Sequence, residues 1–330
     1  EPPMKTKKRT LVVLLVLILA LGGALFWMNR SNTQAEEAAS AAAEGNIPLS
    51  SFAAGDLEKI QYTYQGETLT LDYDSGRWTL EEDPDYHLDE SACNTMVTAL
   101  AALNAKRQLT AQPGEDYGLN DPAVTVTVTA AGETNTFVFG AENTVTGDLY
   151  VQKAGDDAVY AVPGNKAACF ELTKADLFGS FNPAGLTVSA LEKVSITTGS
   201  GTLALTAVSE PADSSASSEE SDSDSASYQT VWRLDGSPET NLDSDAVQNL
   251  LSALAGYVSA QVTDANPAAY GFDAPLAAVQ AETAGGTVTL RYASNADGYW
   301  MMQDGDGSVY AVDVSTVNTI LQAEENLQGE

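Results

Sequence analysis

The chain carries a tandem duplication, and this feature constrains its fold more than any other. Short motifs in residues 52–183 return in the same order in residues 184–330. The matched strings are Glu58-Lys59-Ile60 with Glu192-Lys193-Val194, Arg77-Trp78-Thr79-Leu80 with Val231-Trp232-Arg233-Leu234, Leu88-Asp89 with Leu242-Asp243, Tyr117-Gly118-Leu119-Asn120-Asp121-Pro122 with Tyr270-Gly271-Phe272-Asp273-Ala274-Pro275, and Val159-Tyr160-Ala161-Val162 with Val309-Tyr310-Ala311-Val312. Chance matches would not keep their order, so the pattern predicts two similar domains, each large enough for its own core.

The pattern within each copy predicts an α+β domain, in which an antiparallel β-meander, one main helix, a second β-meander and a short C-terminal helix follow one another. Asp89 and Asp243 occupy the N-cap positions of the main helices, which are predicted to reach about Asn104 and Ala255. In the first copy, strands are predicted at 60–64, 68–73, 77–80, 124–129, 136–139, 149–152 and 159–162. The last four of these have counterparts in the second copy at 277–282, 287–292, 299–303 and 309–312. The short helices are predicted at 167–173 and 314–321.

Residues 11–28 form an uncharged apolar run that is long enough to cross a bilayer as a helix. The basic residues Lys5, Lys7, Lys8 and Arg9 precede it, so the run predicts a single-pass transmembrane anchor with residues 1–10 in the cytoplasm and both domains outside. A cleaved signal peptide is the alternative. Residues 29–51 are rich in Ala, Glu and Ser and are predicted to form a stalk.

The net charge of −31 at pH 7 argues against nucleic acid as a partner, because such a surface repels phosphates. Part of this charge lies in residues 209–227, a run of Ser, Asp, Glu and Ala inserted in the second copy. The run cannot bury enough apolar surface to order itself and is predicted to be a disordered loop. A phosphorylated or cation-binding loop is the alternative.

The two cysteines have no metal-binding or redox spacing. Cys93 shares a helical face with Met96, Val97 and Leu100, a pattern typical of a buried core position. An oxidising compartment would permit a disulfide with Cys169, and the sequence leaves this pairing open.

Several strings resemble chemical sites, but each has a simpler structural interpretation. The run 304–307 (Asp-Gly-Asp-Gly) resembles the start of a calcium loop, yet Val312 stands where the closing acid belongs, so a hairpin turn is the simpler reading. His87 is the only histidine and lies next to a helix N-cap without a nucleophile motif. A carboxylate cluster is formed by Glu81, Glu82, Asp83 and Asp85, with Asp235 and Glu239 at the corresponding place in the second copy. We therefore predict no catalytic, cofactor-binding or metal-binding residue and no cofactor.

Aromatic residues recur between the copies more faithfully than acids do. The matched pairs are Trp78 with Trp232, Tyr117 with Tyr270, Tyr160 with Tyr310, and Tyr150 with Trp300. Such residues pack in cores or line exposed grooves for peptides, glycans or lipids, and the sequence does not decide between these roles at each position.

The anchor, the Glu-Lys-Ile/Val strand opening, the Trp-x-Leu strand and the Tyr-Gly-Leu-x-x-Pro turn together resemble a bacterial family known as domain of unknown function 4340, in two copies. The resemblance implies a membrane-anchored protein, often encoded beside parts of gliding-type ABC transporters, and it implies an extracytoplasmic accessory role. The family has no catalytic residues to carry over to this chain.

The sequence thus favours a non-enzymatic binding protein of the cell envelope, either an auxiliary component of an ABC-type transport system or a scaffold. The rival hypothesis is a glycan hydrolase with an unidentified carboxylate pair in one cleft. A structural spacer is a third possibility. An aromatic-lined groove would favour binding, whereas an open carboxylate pair would favour hydrolysis.

Overall fold

A computed structural model describes residues 46–109, 115–211 and 228–328. The predicted basic segment and anchor (1–28), residues 29–45 of the predicted stalk and residues 212–227 of the predicted loop lie outside this part of the chain. No helix in the described ranges is long and apolar enough to cross a bilayer.

Each copy builds one eight-stranded antiparallel sheet, so the described chain is mainly antiparallel β structure with few helices, in two tandem domains. The strands of the first copy are β1 (Ile47–Pro48), β2 (Leu57–Tyr64), β3 (Glu67–Asp74), β4 (Arg77–Leu80), β5 (Asn104–Ala105), β6 (Arg107–Leu109), β7 (Val124–Ala130), β8 (Glu133–Glu142), β9 (Asp148–Lys153) and β10 (Val159–Pro163). The first sheet runs β4-β3-β2-β7-β8-β9-β10-β6, and β1 pairs separately with β5.

The second sheet repeats the first strand for strand. Its strands are β11 (Leu191–Thr198), β12 (Gly201–Pro211), β13 (Tyr228–Leu234), β14 (Ala260–Val262), β15 (Ala277–Thr283), β16 (Gly286–Ser294), β17 (Tyr299–Gln303) and β18 (Val309–Val312). Their order is β13-β12-β11-β15-β16-β17-β18-β14, which is the order of the first sheet. The Glu-Lys motif marks the same irregularity in both sheets, a register shift after Leu57 in β2 and after Leu191 in β11.

The two predicted meanders of each copy are joined into one sheet, which the sequence did not predict. In the first copy β2 pairs with β7, and in the second β11 pairs with β15. The alternation of β7 fits a sheet with one buried face, because its valines are buried and its threonines lie on the other face, partly exposed. The short strands β6 and β14 at the far edges were also missed, since three residues carry too little periodicity to be recognised.

One main helix accompanies each sheet, α1 (Glu90–Ala101) and α2 (Ser244–Leu254). The Asp243 side chain accepts hydrogen bonds from the amides of Asp245 and Ala246, as an N-cap residue should. The buried side of α1 consists of Cys93, Met96, Val97 and Leu100, and that of α2 consists of Val247, Leu250, Leu251 and Leu254.

The C-terminal helix forms in the second copy only. There α3 (Val314–Leu321) is followed by α4 (Ala323–Gln328). In the first copy the helix predicted at 167–173 is wrong, because the chain makes separate 3₁₀ turns at Gly164–Lys166, Ala168–Phe170 and Ala175–Leu177. These segments place Phe170 and Leu177 in the core without a continuous helix.

The predicted disordered loop begins too early. Ser209 to Pro211 belong to β12 and pair with Thr230 to Tyr228 of β13, so the ladder continues three residues further than composition suggested. Cross-strand hydrogen bonds order these residues despite their polarity.

The chain divides into two compact units by its internal contacts. The first contains the described residues up to 78 together with 91–173, and the second contains 79–90 and 174–328. The segment 79–90, which follows the first tryptophan strand, therefore groups with the second unit. The core of the second unit includes Val194, Leu205, Leu250, Val279 and Ile320.

Candidate functional site

An open groove lies in the second unit between the edge strand β13 and helix α2. Its volume is about 620 Å³, and Trp232 lines the strand side. Val247, Gln248 and Leu251 line the helix side, and Leu191 also contributes. Trp232 is partly buried and packs against the core of this unit. The groove has the volume of a small ligand-binding pocket, and both apolar and polar side chains line it.

The same place is filled in the first copy. Lys59 of β2 pairs with Asp72 of β3, and the equivalent Lys193 of β11 pairs with Thr206 of β12. The next residues along β3 and β12, Tyr73 and Ala207, are therefore equivalent. The rings of Tyr73 and Trp78 lie 4.8 Å apart, and the Trp78 indole donates a 3.1 Å hydrogen bond to Asn94 Oδ1. Trp78 is consequently only 6% exposed.

The second copy lacks both of these contacts. Ala207 has no ring to place on Trp232, and Gln248 stands in the position of Asn94. The groove therefore follows from the loss of one aromatic side chain on a shared scaffold. Ala207 and Gln248 were not predicted, because the matched motifs contain the residues that the copies share, whereas the useful signal is a residue in which the copies differ.

A second, polar cleft of about 600 Å³ collects several residues that the sequence singled out. It is lined by Asp85, His87, Gln261, Asp304 and Asp306, among others, all within the second unit. The His87 ring stacks on Phe181 at 3.9 Å, and the His87 amide donates to Gln261 Oε1 at 2.8 Å. These contacts hold the histidine against an aromatic ring. Its position in the same cleft as the 304–307 turn could not be predicted from the sequence.

Both aspartates of the calcium-like turn 304–307 accept hydrogen bonds from other side chains of the protein. Arg291 donates to both carboxylate oxygens of Asp304, at 2.6 and 2.9 Å, which lowers the pKa of this carboxyl group. Asp306 accepts a 2.6 Å hydrogen bond from the Tyr310 hydroxyl. The first copy repeats the second contact, since Tyr160 donates to Asp156 at 2.7 Å and lowers its pKa. A tyrosine-braced hairpin turn thus accounts for the shared aspartate.

One of the carboxylates before the first helix, Asp83, is also held by its neighbours. Asp83 Oδ2 accepts from Lys174 at 2.6 Å and from Thr263 at 2.5 Å. Its counterpart region contains Asp235, whose pKa is lowered by the Thr206 hydroxyl and by Lys193 at 3.0 Å. Within the described ranges, no group of three or more His, Cys, Asp or Glu residues could hold a metal ion.

The two cysteines do not form a disulfide with each other. Cys93 is buried in the core on α1, as its helical spacing predicted. Cys169 is partly buried, and this burial raises the pKa of its thiol to about 11. A thiol with such a pKa is protonated at neutral pH and is therefore a poor nucleophile.

The remaining matched aromatic residues mainly pack within their own copies. Tyr117 and Tyr150 meet edge to face at 4.9 Å, and Tyr270 and Trp300 repeat this contact at 4.7 Å. Two matched aromatic residues of the second copy line open space, Trp232 in the groove beside β13 and Tyr310 in the polar cleft.

These features define a tandem-repeat protein of two mainly antiparallel β domains with a ligand-sized groove in the second. The chain belongs to the family described as "Domain of unknown function (DUF4340)", whose model matches residues 78–229 and 232–328. Each match starts at the tryptophan of an edge strand, and the resemblance predicted from the sequence, in two copies, is thereby confirmed. No curated protein and no solved structure matches the chain.

Proposed function

We propose that this chain is a non-enzymatic binding protein of the cell envelope, held in the membrane by residues 11–28 with its two domains outside. In this proposal it serves as an accessory component of an ABC-type transport system or as an envelope scaffold. The observation that carries the proposal is the open groove beside Trp232, at a place where the first copy has closed core.

The pKa shifts of three carboxyl groups favour a structural role for these residues over a role in glycan hydrolysis. A glycosidase needs a carboxylic acid whose pKa is raised, so that it can donate a proton near neutral pH. The pKa is instead lowered at Asp148, Glu210 and Asp304, in each case mainly because a Lys or Arg side chain donates a hydrogen bond to the carboxylate. Such groups remain anionic and serve as structural ion pairs.

Site-specific photo-crosslinking in native membranes tests the proposal. A benzophenone amino acid is placed at Gln248, an exposed residue on the helix side of the groove, and at Asn318, an exposed residue of α3, as the matched control. We expect irradiation to give a heavier adduct with another envelope protein from position 248 and not from position 318. Transporter subunits in the adduct would support the accessory role. Equal adduct yields at both positions, or no adduct from position 248 in repeated trials, would contradict the proposal.

A further inference from the structure

Among the described residues, β13 ends the strand order of the second sheet, so its outer side is an edge of that sheet. The Asp235 amide donates to the Ala204 carbonyl at 2.8 Å, and Leu205 is paired with Leu234. In an antiparallel ladder hydrogen-bonded and non-hydrogen-bonded pairs alternate. Thr230 and Trp232 therefore direct their backbone N–H and C=O groups away from β12, towards the free edge.

The same alternation places side chains above the groove. Tyr228, Thr230 and Trp232 share one face of β13, the face that carries Trp232 against the core and α2. Tyr228 is 66% exposed, so a second aromatic ring on this face is accessible beyond the tryptophan. An added strand would form backbone hydrogen bonds with β13 and place every second side chain in the groove.

Common protection against edge pairing is weak at β13. Native proteins often block edge strands with short length, proline or free charge. Here the edge strand is seven residues long, whereas its counterpart β4 has four. Arg233 is the only charged residue of β13, and both oxygens of Glu210 accept from its guanidinium at 2.9 Å.

The charge of the chain decides which class of segment fits. A second copy of the chain would bring another net charge of −31, which opposes edge-to-edge pairing of identical molecules. Ser244, which lines the groove, lies between Asp243 and the exposed Asp245 at the start of α2. A segment with Lys or Arg would therefore be attracted to this site.

We propose that the groove between β13 and α2 binds an extended segment of a partner protein, with apolar residues at alternate positions and basic residues beside them, as an added strand at the edge of β13. This inference rests on the proposed binding function and names the ligand class of its site.

The test uses the full chain in detergent and a phage library of random dodecapeptides as the probe. Selected peptides should be rich in Lys and Arg and should have apolar residues at alternate positions. Ala207→Tyr introduces the side chain with which the first copy closes this place and should weaken binding at least ~10-fold, while Ala207→Ser, the matched control, should change it less than ~3-fold.

A second variant tests the strand edge separately. Thr230→Pro removes an outward N–H that β12 does not use, and proline is tolerated on edge strands. It should weaken binding at least ~10-fold, with Thr230→Ala within ~3-fold of the parent. Circular dichroism should give the parent β signal for all four variants. Binding that survives both Ala207→Tyr and Thr230→Pro would overturn the proposal, as would selection of acidic peptides or of none.

The two proposals fail in different ways. A native crosslink from position 248 with no selected peptide would keep the binding function and remove the extended peptide as its ligand. Selected peptides without any adduct in native membranes would support the ligand class of the groove but contradict binding to an envelope protein. A chain dimer whose formation is abolished by Thr230→Pro would make a second copy the occupant and would also overturn this inference.

Discussion

The side chain at one strand position decides whether each copy is closed or open. Tyr73 packs on Trp78 in the first copy, whereas Ala207 leaves Trp232 partly exposed in the second. Tyr73 and Ala207 lie at the same distance after the Glu-Lys motif of their own copy, so this difference could be read from the sequence. The consequence of this difference could not be predicted, because the sequence alone does not show that either side chain lies opposite the tryptophan of the neighbouring strand.

An ion pair between a buried carboxylate, Asp148, and a partly exposed lysine, Lys106, gives a pH-dependent prediction at the residue scale. Asp148 is only 3% exposed and accepts from Lys106, and this contact lowers the pKa of its carboxyl group. Asp148→Asn should lower the free energy of unfolding by ~1–3 kcal/mol at pH 7, measured by urea unfolding. Asp72→Asn, which breaks a surface pair with Lys59, should cost less than ~1 kcal/mol.

The sign of this pH dependence follows from the lowered pKa. Because the folded-state pKa of Asp148 lies below that of the unfolded chain, the stabilisation is complete above the unfolded pKa of ~3.9. It is lost as the pH falls through the lower folded value. The difference between Asp148→Asn and the parent should therefore shrink in acid. A difference as large in strong acid as at pH 7 would mean that the carboxylate charge contributes nothing.

At the scale of elements, the Tyr-Gly turn is a shared backbone device rather than a binding motif. Gly118 has φ +70° and Gly271 has φ +89°, both in the left-handed region. A Cβ at Gly118 would lie 2.5 Å from the Ala141 amide nitrogen, and one at Gly271 would lie 2.3 Å from the Ser294 carbonyl oxygen. The turn packs against the backbone of β8 in the first copy and of β16 in the second. This shared close approach explains why the motif recurs.

The close approach at the turn predicts that two glycine substitutions will lower the free energy of unfolding by different amounts. Gly132 also has a positive φ of +75°, but a Cβ there would meet nothing within 4 Å. Gly132→Ala should therefore cost only the backbone strain, about 1 kcal/mol. Gly118→Ala adds a backbone clash and should cost at least ~2 kcal/mol more in urea unfolding. Similar losses at both positions would show that the close approach of the turn is not maintained in solution.

The elements of each copy could largely be predicted from hydrophobic alternation and from helix caps, while their assembly could not. The strict Val/Thr alternation of β7 marks a strand but does not identify β2 as its partner. The segment at 167–173 has an apolar content that suits a helix, yet the structure places separate 3₁₀ turns there. Such choices depend on tertiary packing, which a single sequence window does not contain.

At the scale of the whole molecule, the duplication preserves a scaffold while one copy diverges. The strand order, the register shift at the Glu-Lys motif and the tyrosine–aspartate turn are the same in both copies. The tryptophan strand differs, since β13 is longer than β4 and has an open groove beside it. A duplicated fold can keep one copy closed as structure and open the other for a ligand.

The most direct test of this account is the photo-crosslink yield from position 248 in native membranes, compared between Ala207→Tyr and Ala207→Ser. If the groove is the binding site, the adduct should fall at least ~10-fold in Ala207→Tyr and stay at the parent level in Ala207→Ser. An adduct of parent yield in Ala207→Tyr, with the variant folded, would contradict the assignment of the groove as the site of binding.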